Sequence, residues 1–209
     1  MSWHPETLGR RQTRVLRDLG PLLTPRGFYL GDGTAVALHL GHRRFVDLDW
    51  FCAQGMSDPL ELAHELRDDG VPFVTGQIAR GTLHGTVRGV QVSLLRYRYR
   101  LLRQPQRGPG EARIAALLDL AAMKLAAVAQ RGSKKDFVDI FAIGSQRFPL
   151  RRMLRHYQVK YDTSDIAHVQ YSLTYFADAD SERMPPMLWA VGWKEVKRTI
   201  TDWVAGLAR

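Results

Sequence analysis

Two aspartates stand two residues apart in RFVDLDWF, residues 44–51, a stretch that is otherwise apolar and rich in strand-forming residues. Alternation along a strand places Phe45, Asp47, Asp49 and Phe51 on one face and Val46, Leu48 and Trp50 on the other. The two carboxylates then project the same way, with Cα atoms roughly 7 Å apart. Like charges so placed repel each other. They are tolerated if solvent-exposed, if salt-bridged by the neighbouring Arg43 and Arg44, or if bridged by a cation. Magnesium suits the last case, since it takes carboxylate oxygens together with substrate phosphates. The turn just upstream, Gly31-Asp32-Gly33-Thr34, follows a short apolar run and opens a helical piece, AVALHL. Backbone N–H groups at such a helix start can hold a phosphate, which makes Gly31, Gly33 and Thr34 candidate phosphate contacts. Strand, glycine turn, helix and D-x-D strand all fall within residues 28–51.

A second set of charges lies downstream. In LLDLAAMKLAAVAQRG, Lys124 and Arg131 fall at i and i+7 on one helix face, while Leu117, Leu118, Ala121, Leu125 and Val128 form an apolar flank. A lysine amid AAMKLAAV can lay its stem along apolar surface and reach a cleft with its ammonium, or simply reach solvent. Asp136 and Asp139, at i and i+3 in KKDFVDIF, are carboxylates for an active site or for a helix cap paired with Lys135 or Arg131. RYRYRLLR, residues 96–103, interleaves arginine and tyrosine as nucleic-acid stacking platforms do, and equally as an edge strand with tyrosines in and arginines out. His39 and His42 have no third ligand nearby, and Cys52 reads as core.

The elements that must position these groups are legible as patterns. Residues 6–19 carry a helical apolar stripe that GPLLTPRG should break. Residues 28–30 form a short strand, and Thr34 is placed to cap the helix that Gly41 ends. Asp58, Pro59 and Gly70 bracket an amphipathic helix, and residues 81–97 read as a hairpin turning at Arg88–Gly89. RQPQRGPGEAR, residues 103–113, is the strongest breaker in the chain, and everything after it is helical in pattern, with Trp189, Trp193 and Trp203 as packing anchors. The expected class is α+β: an α/β domain over residues 1–105 and an all-helical domain over 106–209.

The 209 residues include 30 Lys and Arg against 21 Asp and Glu, a net charge of +9 that favours a polyanionic partner. A single cysteine excludes an internal disulfide, and no apolar run is long enough for a membrane span or a signal h-region. A cytoplasmic protein is the expectation.

YLGDGTAVALHLGHRRFVDLDWF resembles the first motif of the AbiEii/AbiGii toxin-family nucleotidyltransferases, members of the DNA polymerase β-like superfamily and toxin halves of type IV toxin–antitoxin systems. LLDLAAMKLAAVAQRGSKKDFVDIFAI is similar to the family's helical motif, and MPPMLWAVGWKEVKR to its close, so the resemblance spans residues 27–198. It implies a polymerase β-like nucleotidyltransferase domain with a helical domain closing over the cleft. It implies Mg2+ on Asp47 and Asp49, and a nucleoside triphosphate on Gly31, Gly33 and Thr34 with Arg43 beside it. It also implies Lys124 on the phosphates and Asp136 as the second motif's acid. The implied activity is transfer of a nucleotide to an RNA 3′ end, that of tRNA, blocking translation, with a cognate antitoxin as partner. Three positions depart from the pattern: Asp32 replaces a glycine, Phe45 a frequent serine, and the strand VQVSLLRY offers Gln91 and Ser93 rather than a third carboxylate. They motivate an alternative, a catalytically inactive nucleotide- or RNA-binding protein of the same fold.

Overall fold

The structure, a computed structural model, describes residues 2–54, 56 and 58–208. The first helix, α1 (Arg10–Leu23), buries Val15, Leu16, Leu19 and Leu23 along one stripe. It runs on through Pro21, past the expected break. Gly20 explains this: its backbone abuts the Gly110 carbonyl so closely that a Cβ would overlap it, and this packing holds the last turn from outside. After β1 (Tyr29–Leu30) comes α2 (Asp32–Leu40), closed by Gly41 in the left-handed conformation with φ 67°. The helix starts two residues ahead of Thr34. That residue is no cap; its hydroxyl donates to the Asp47 carbonyl at 2.5 Å and ties the turn to the D-x-D segment.

The strand carrying the carboxylates, β2 (Leu48–Cys52), is shorter than the alternation predicts, and Asp47 lies just before it. Residues 43–45 make their backbone bonds outside the sheet, Arg43 pairing with Met187, Arg44 N donating to Pro186 O and Phe45 N to Thr7 O. Helix α3 (Pro59–Asp68) starts as expected, with the Asp58 carboxylate accepting from Leu60 N at 2.8 Å. Three antiparallel strands follow, β3 (Phe73–Ala79), β4 (Thr82–Val87) and β5 (Val90–Arg96). β3 is missing from the sequence reading because its Val74 and Ile78 face solvent, which leaves no buried periodicity to see. The β4–β5 turn falls at Arg88–Gly89, as predicted, with φ 52° and 75°.

β6 (Gln106–Arg107) and β7 (Arg113–Ile114) bring the breaker segment back to the sheet, whose order is β3-β4-β5-β2-β1-β7-β6. β2 runs parallel to β5, so Asp49 sits opposite Ser93, and Ser93 in turn opposite His84 on β4. Among the described residues six α-helices follow, α4 (Leu117–Gln130), α5 (Lys134–Gln146), α6 (Leu150–Tyr161), α7 (Ala167–Ser172), α8 (Ala177–Asp180) and α9 (Trp193–Ala205). α4 is apolar nearly all round because it is packed on several sides, against α2, α5 and α6. The result is a mixed α/β architecture. Among the described residues no helix is long and apolar enough to cross a membrane.

Candidate active site

Helix α2 points its N-terminus at the junction of β2, α4 and α5. Gly31 allows the approach, since a Cβ there would strike the Phe51 ring, and Gly31 N donates to Asp49 O at 2.9 Å. At Gly33 a Cβ would meet Phe45, Arg43 and Asp139, so this glycine is needed for the contact between the turn and α5. Asp32, between them, has φ 50°, a backbone conformation natural for glycine and tolerated by aspartate.

The centre of the site is a buried charge network around Lys124, whose side chain is 1% exposed. Its ammonium meets Asp136 at 2.9 Å, Asp139 at 2.8 Å and the carboxylate of Asp32. Asp32, Asp136 and Asp139 bring oxygens within 4.8 Å of one another, which is ligand spacing for a cation, and the cation they surround is this ammonium. Arg131 clamps Asp136 with Nε at 2.8 Å and reaches Asp32 at 3.5 Å, and Ser133 donates to Asp136 at 2.7 Å. Arg43 is buried and forks onto Asp139 at 2.7 and 2.9 Å, stacked over the Phe45 ring at 4.2 Å, while His42 bonds the same carboxylate at 2.8 Å. Desolvation would raise Lys124's tendency to lose its proton, but the three carboxylates outweigh it and hold it charged.

Lys124, Arg43 and Arg131 thus face Asp32, Asp136 and Asp139, three charges against three. Asp47 and Asp49 are left over. Among the described residues neither has a basic partner within salt-bridge distance: Arg43 is turned to Asp139, and Arg44 is exposed. Burial raises the Asp49 pKa and the charges of Asp32 and Asp47 raise it further, with Ser93 nearby and the Lys124 charge only partly opposing them. Two carboxylates with an excess negative charge, one of them largely desolvated, are an all-oxygen donor set suited to a hard divalent cation such as Mg2+. The residues fit the metal that the sequence resemblance implies.

The network fixes how stability responds to acid. Burial alone would raise Asp136, but Lys124 and Arg131 pull it down to about 2, and Arg43 and Lys124 hold Asp139 well below its ordinary range. These depressed carboxylates stabilise the fold fully above the unfolded value near 3.8, and the contribution is lost as pH falls towards 2. Burial lowers His39 and His42 below 6.5, although each has a hydrogen-bond acceptor, Ala115 O and Asp139 respectively. The unfolded chain takes up protons there that the folded chain does not, so stability declines as pH drops below 6.5. Thermal melts from pH 8 to pH 2 are expected to show a shallow fall in Tm below 6.5 and a steep one below 4. A flat profile down to pH 3 would contradict the network.

The structure therefore brings Asp47, Asp49, Lys124, Asp136, Gly31, Gly33, Thr34 and Arg43 to one place, together with Asp32, Arg131 and Asp139. Asp139 is as heavily bonded as Asp136, and its weight was hidden because its partners His42 and Arg43 are remote in sequence. Only the i, i+3 spacing with Asp136 hinted that both face the same way.

No protein-family model matches the chain. The uncharacterized protein aq_aa25 of Aquifex aeolicus is 32% identical over 179 residues, covering 84% of this chain and 86% of that protein. Among solved structures, MenT4, a nucleotidyltransferase toxin of Mycobacterium tuberculosis H37Rv, aligns with a TM-score of 0.59 at 15% identity, over 92% of this chain and 82% of that one. JHP933 from Helicobacter pylori aligns with a TM-score of 0.54 at 14% identity, over 98% and 90%. The chain has a nucleotidyltransferase fold.

Proposed function

We propose that this chain, which belongs to the same family as the uncharacterized protein aq_aa25 of Aquifex aeolicus, is a divalent-metal-dependent nucleotidyltransferase acting on an RNA 3′ end. The observation that carries this reading is the charge imbalance at Asp47 and Asp49: two carboxylates without a basic partner among the described residues, beside a glycine turn and helix N-terminus, on this fold. Magnesium held there would neutralise the carboxylates and the phosphates and polarise the α-phosphate. The turn at Gly31–Thr34 and the start of α2 would face the triphosphate with backbone N–H groups. Thr34 fixes the Asp47 segment, and Ser93 sits opposite Asp49 on β5. A 3′-hydroxyl oxygen attacks the α-phosphorus, the bond to the bridging oxygen breaks, pyrophosphate departs and the hydroxyl proton passes to solvent. The protein's part is positioning and charge stabilisation.

The finer reading follows the sequence resemblance: an AbiEii-type toxin, with tRNA as acceptor in the cytoplasm and a cognate antitoxin as partner. Residues 1–105 would carry the nucleotide and residues 106–209 would close over it. Incubation with magnesium, each labelled triphosphate and total RNA tests it.

A second reading, a nucleotide- or RNA-binding protein without catalysis, is favoured by one observation. Asp32 occupies Lys124 and Arg131, the cations that would otherwise meet phosphate. Both readings make the carboxylate a competitor for the phosphate position at the head of α2. Asp32→Gly removes the charge and suits φ 50°, so it is expected to tighten triphosphate binding on the order of tenfold, about 1.4 kcal/mol. Calorimetry with a non-hydrolysable triphosphate measures this, and weaker binding by the variant would show that Asp32 helps to hold the ligand.

A further inference from the structure

The alternation of arginine and tyrosine at the end of β5 continues beyond the sheet. Arg96, Arg98 and Arg100 are exposed, and Tyr97 and Tyr99 are half-buried. Two cavities share the Tyr97–Tyr99 wall. The outer one, about 480 Å³, runs to the β3–β4 turn and is lined by Arg80, Arg96 and Arg98, with no carboxylate in its lining. Among the described residues none of these three arginines is salt-bridged, although Arg26 and Arg88, also on the surface, are. Three guanidiniums without a carboxylate partner, Arg98 being held by the Tyr99 hydroxyl at 3.1 Å, repel one another around this groove, and a polyanion laid along them removes that repulsion.

The inner cavity, about 380 Å³, is a box of rings with a small-residue wall at Ala126 and Ala127. Tyr99 packs edge-on against Tyr161 at 4.7 Å, and Tyr157 lies 4.6 Å from Tyr161. The Tyr97 and Tyr161 hydroxyls are bonded at 2.6 Å, which locks the sheet side of the box to α6 before any ligand arrives. The box ends on Asp32 and Arg131, and on Phe51, which shares the face of β2 with Asp49 two residues away. Groove and ring box therefore share a wall, and the box ends at Phe51, two residues along the β2 face from Asp49.

We propose that this groove and box form a binding track for a single-stranded nucleic-acid 3′ segment, its phosphates on Arg80, Arg96 and Arg98 and a base among Tyr97, Tyr99 and Tyr161. The assignment rests on the nucleotidyl-transfer reading for its direction, with the strand end leading to Asp49. Rings of this kind stack on any base face, and a duplex, whose bases are already stacked inside, cannot offer one. An acidic peptide would satisfy the arginines but leave the box without a use.

The test is fluorescence anisotropy of the full chain with a labelled single-stranded RNA 12-mer, the same sequence as a duplex, single-stranded DNA and a poly-glutamate peptide, from 50 to 200 mM salt. Single-stranded RNA should bind more tightly than duplex. The R80Q/R96Q/R98Q variant should weaken it at least tenfold and reduce the salt slope by about 2, three phosphates at roughly 0.7 each. Tyr99→Ala should weaken binding roughly 5- to 100-fold and Tyr99→Phe should restore it, because the ring rather than the hydroxyl does the stacking. DNA binding as tightly as RNA would keep the track and mark its selectivity as sugar-independent. Equal binding of duplex, or of the peptide with no effect of Tyr99→Ala, would overturn the track. The two readings fail separately. Binding that these variants abolish, in a protein that transfers no nucleotide, leaves the track and sinks the enzyme. Transfer by the arginine variant with an unchanged KM for RNA does the opposite.

Discussion

Asp49→Asn is expected to lower nucleotide transfer by at least two to three orders of magnitude while leaving the fold intact. The carboxylate makes no salt bridge among the described residues, so its loss orphans no buried cation. Its burial and the neighbouring charges of Asp32 and Asp47 already disfavour ionisation, so the neutral amide should hold or raise Tm. What would disappear is the hard oxygen charge proposed to hold the metal and to compensate the transferring phosphoryl group, an effect of about 10²–10³ in rate when one such group is removed from a preorganised site. Rate and Tm should move apart, and that pairing separates a reactive carboxylate from a structural one. A variant that loses Tm in proportion to activity would place Asp49 in the framework.

Asp139→Ala should do the reverse and destabilise the protein before any question of activity arises. The Asp139 carboxylate is fully buried and accepts from Arg43 Nε and Nη2, His42 Nε2 and the Lys124 ammonium. Removing it leaves a buried guanidinium and weakens the balance at Lys124, which costs about 3–5 kcal/mol where one partner of a buried pair is deleted. For a chain of this size that corresponds to a Tm fall on the order of 10 °C. Asp139→Asn keeps the shape and two acceptor contacts and should fall between. A Tm within 2 °C of wild type for Asp139→Ala, read by calorimetry, would show the network to be dispensable. The same logic explains why Arg43, a phosphate contact by resemblance, has its whole fork committed to α5.

Much of this was readable in sequence because local chemistry wrote it there. Asp58–Pro59, Gly41 and Arg88–Gly89 each announce a specific backbone need, and each element begins, ends or turns where those residues say. The D-x-D motif and the glycine turn were legible for the same reason. What was not legible depends on partners far apart in the chain. Pro21 sits inside α1 because Gly20 packs on Gly110, and Asp47 lies outside β2 because residues 43–45 bond to Thr7, Pro186 and Met187. The edge strand β3 turns apolar residues to solvent, so period-two burial never develops. Asp32, a puzzle in sequence as an acid at a phosphate turn, becomes intelligible beside Lys124 and Arg131, 92 and 99 positions further on (124 − 32 and 131 − 32).

Asp47 and Asp49 are proposed to form a metal-dependent nucleotidyl-transfer site. The most direct measurement incubates wild type and D47N/D49N, both verified as folded, with magnesium, total RNA and each of four α-labelled nucleoside triphosphates, and follows label in RNA. Wild type should label RNA in a metal-dependent manner from at least one triphosphate, with labelling lost on chelation and absent from the double variant. Equal labelling by the folded double variant would contradict it, as would no labelling by wild type with any of the four.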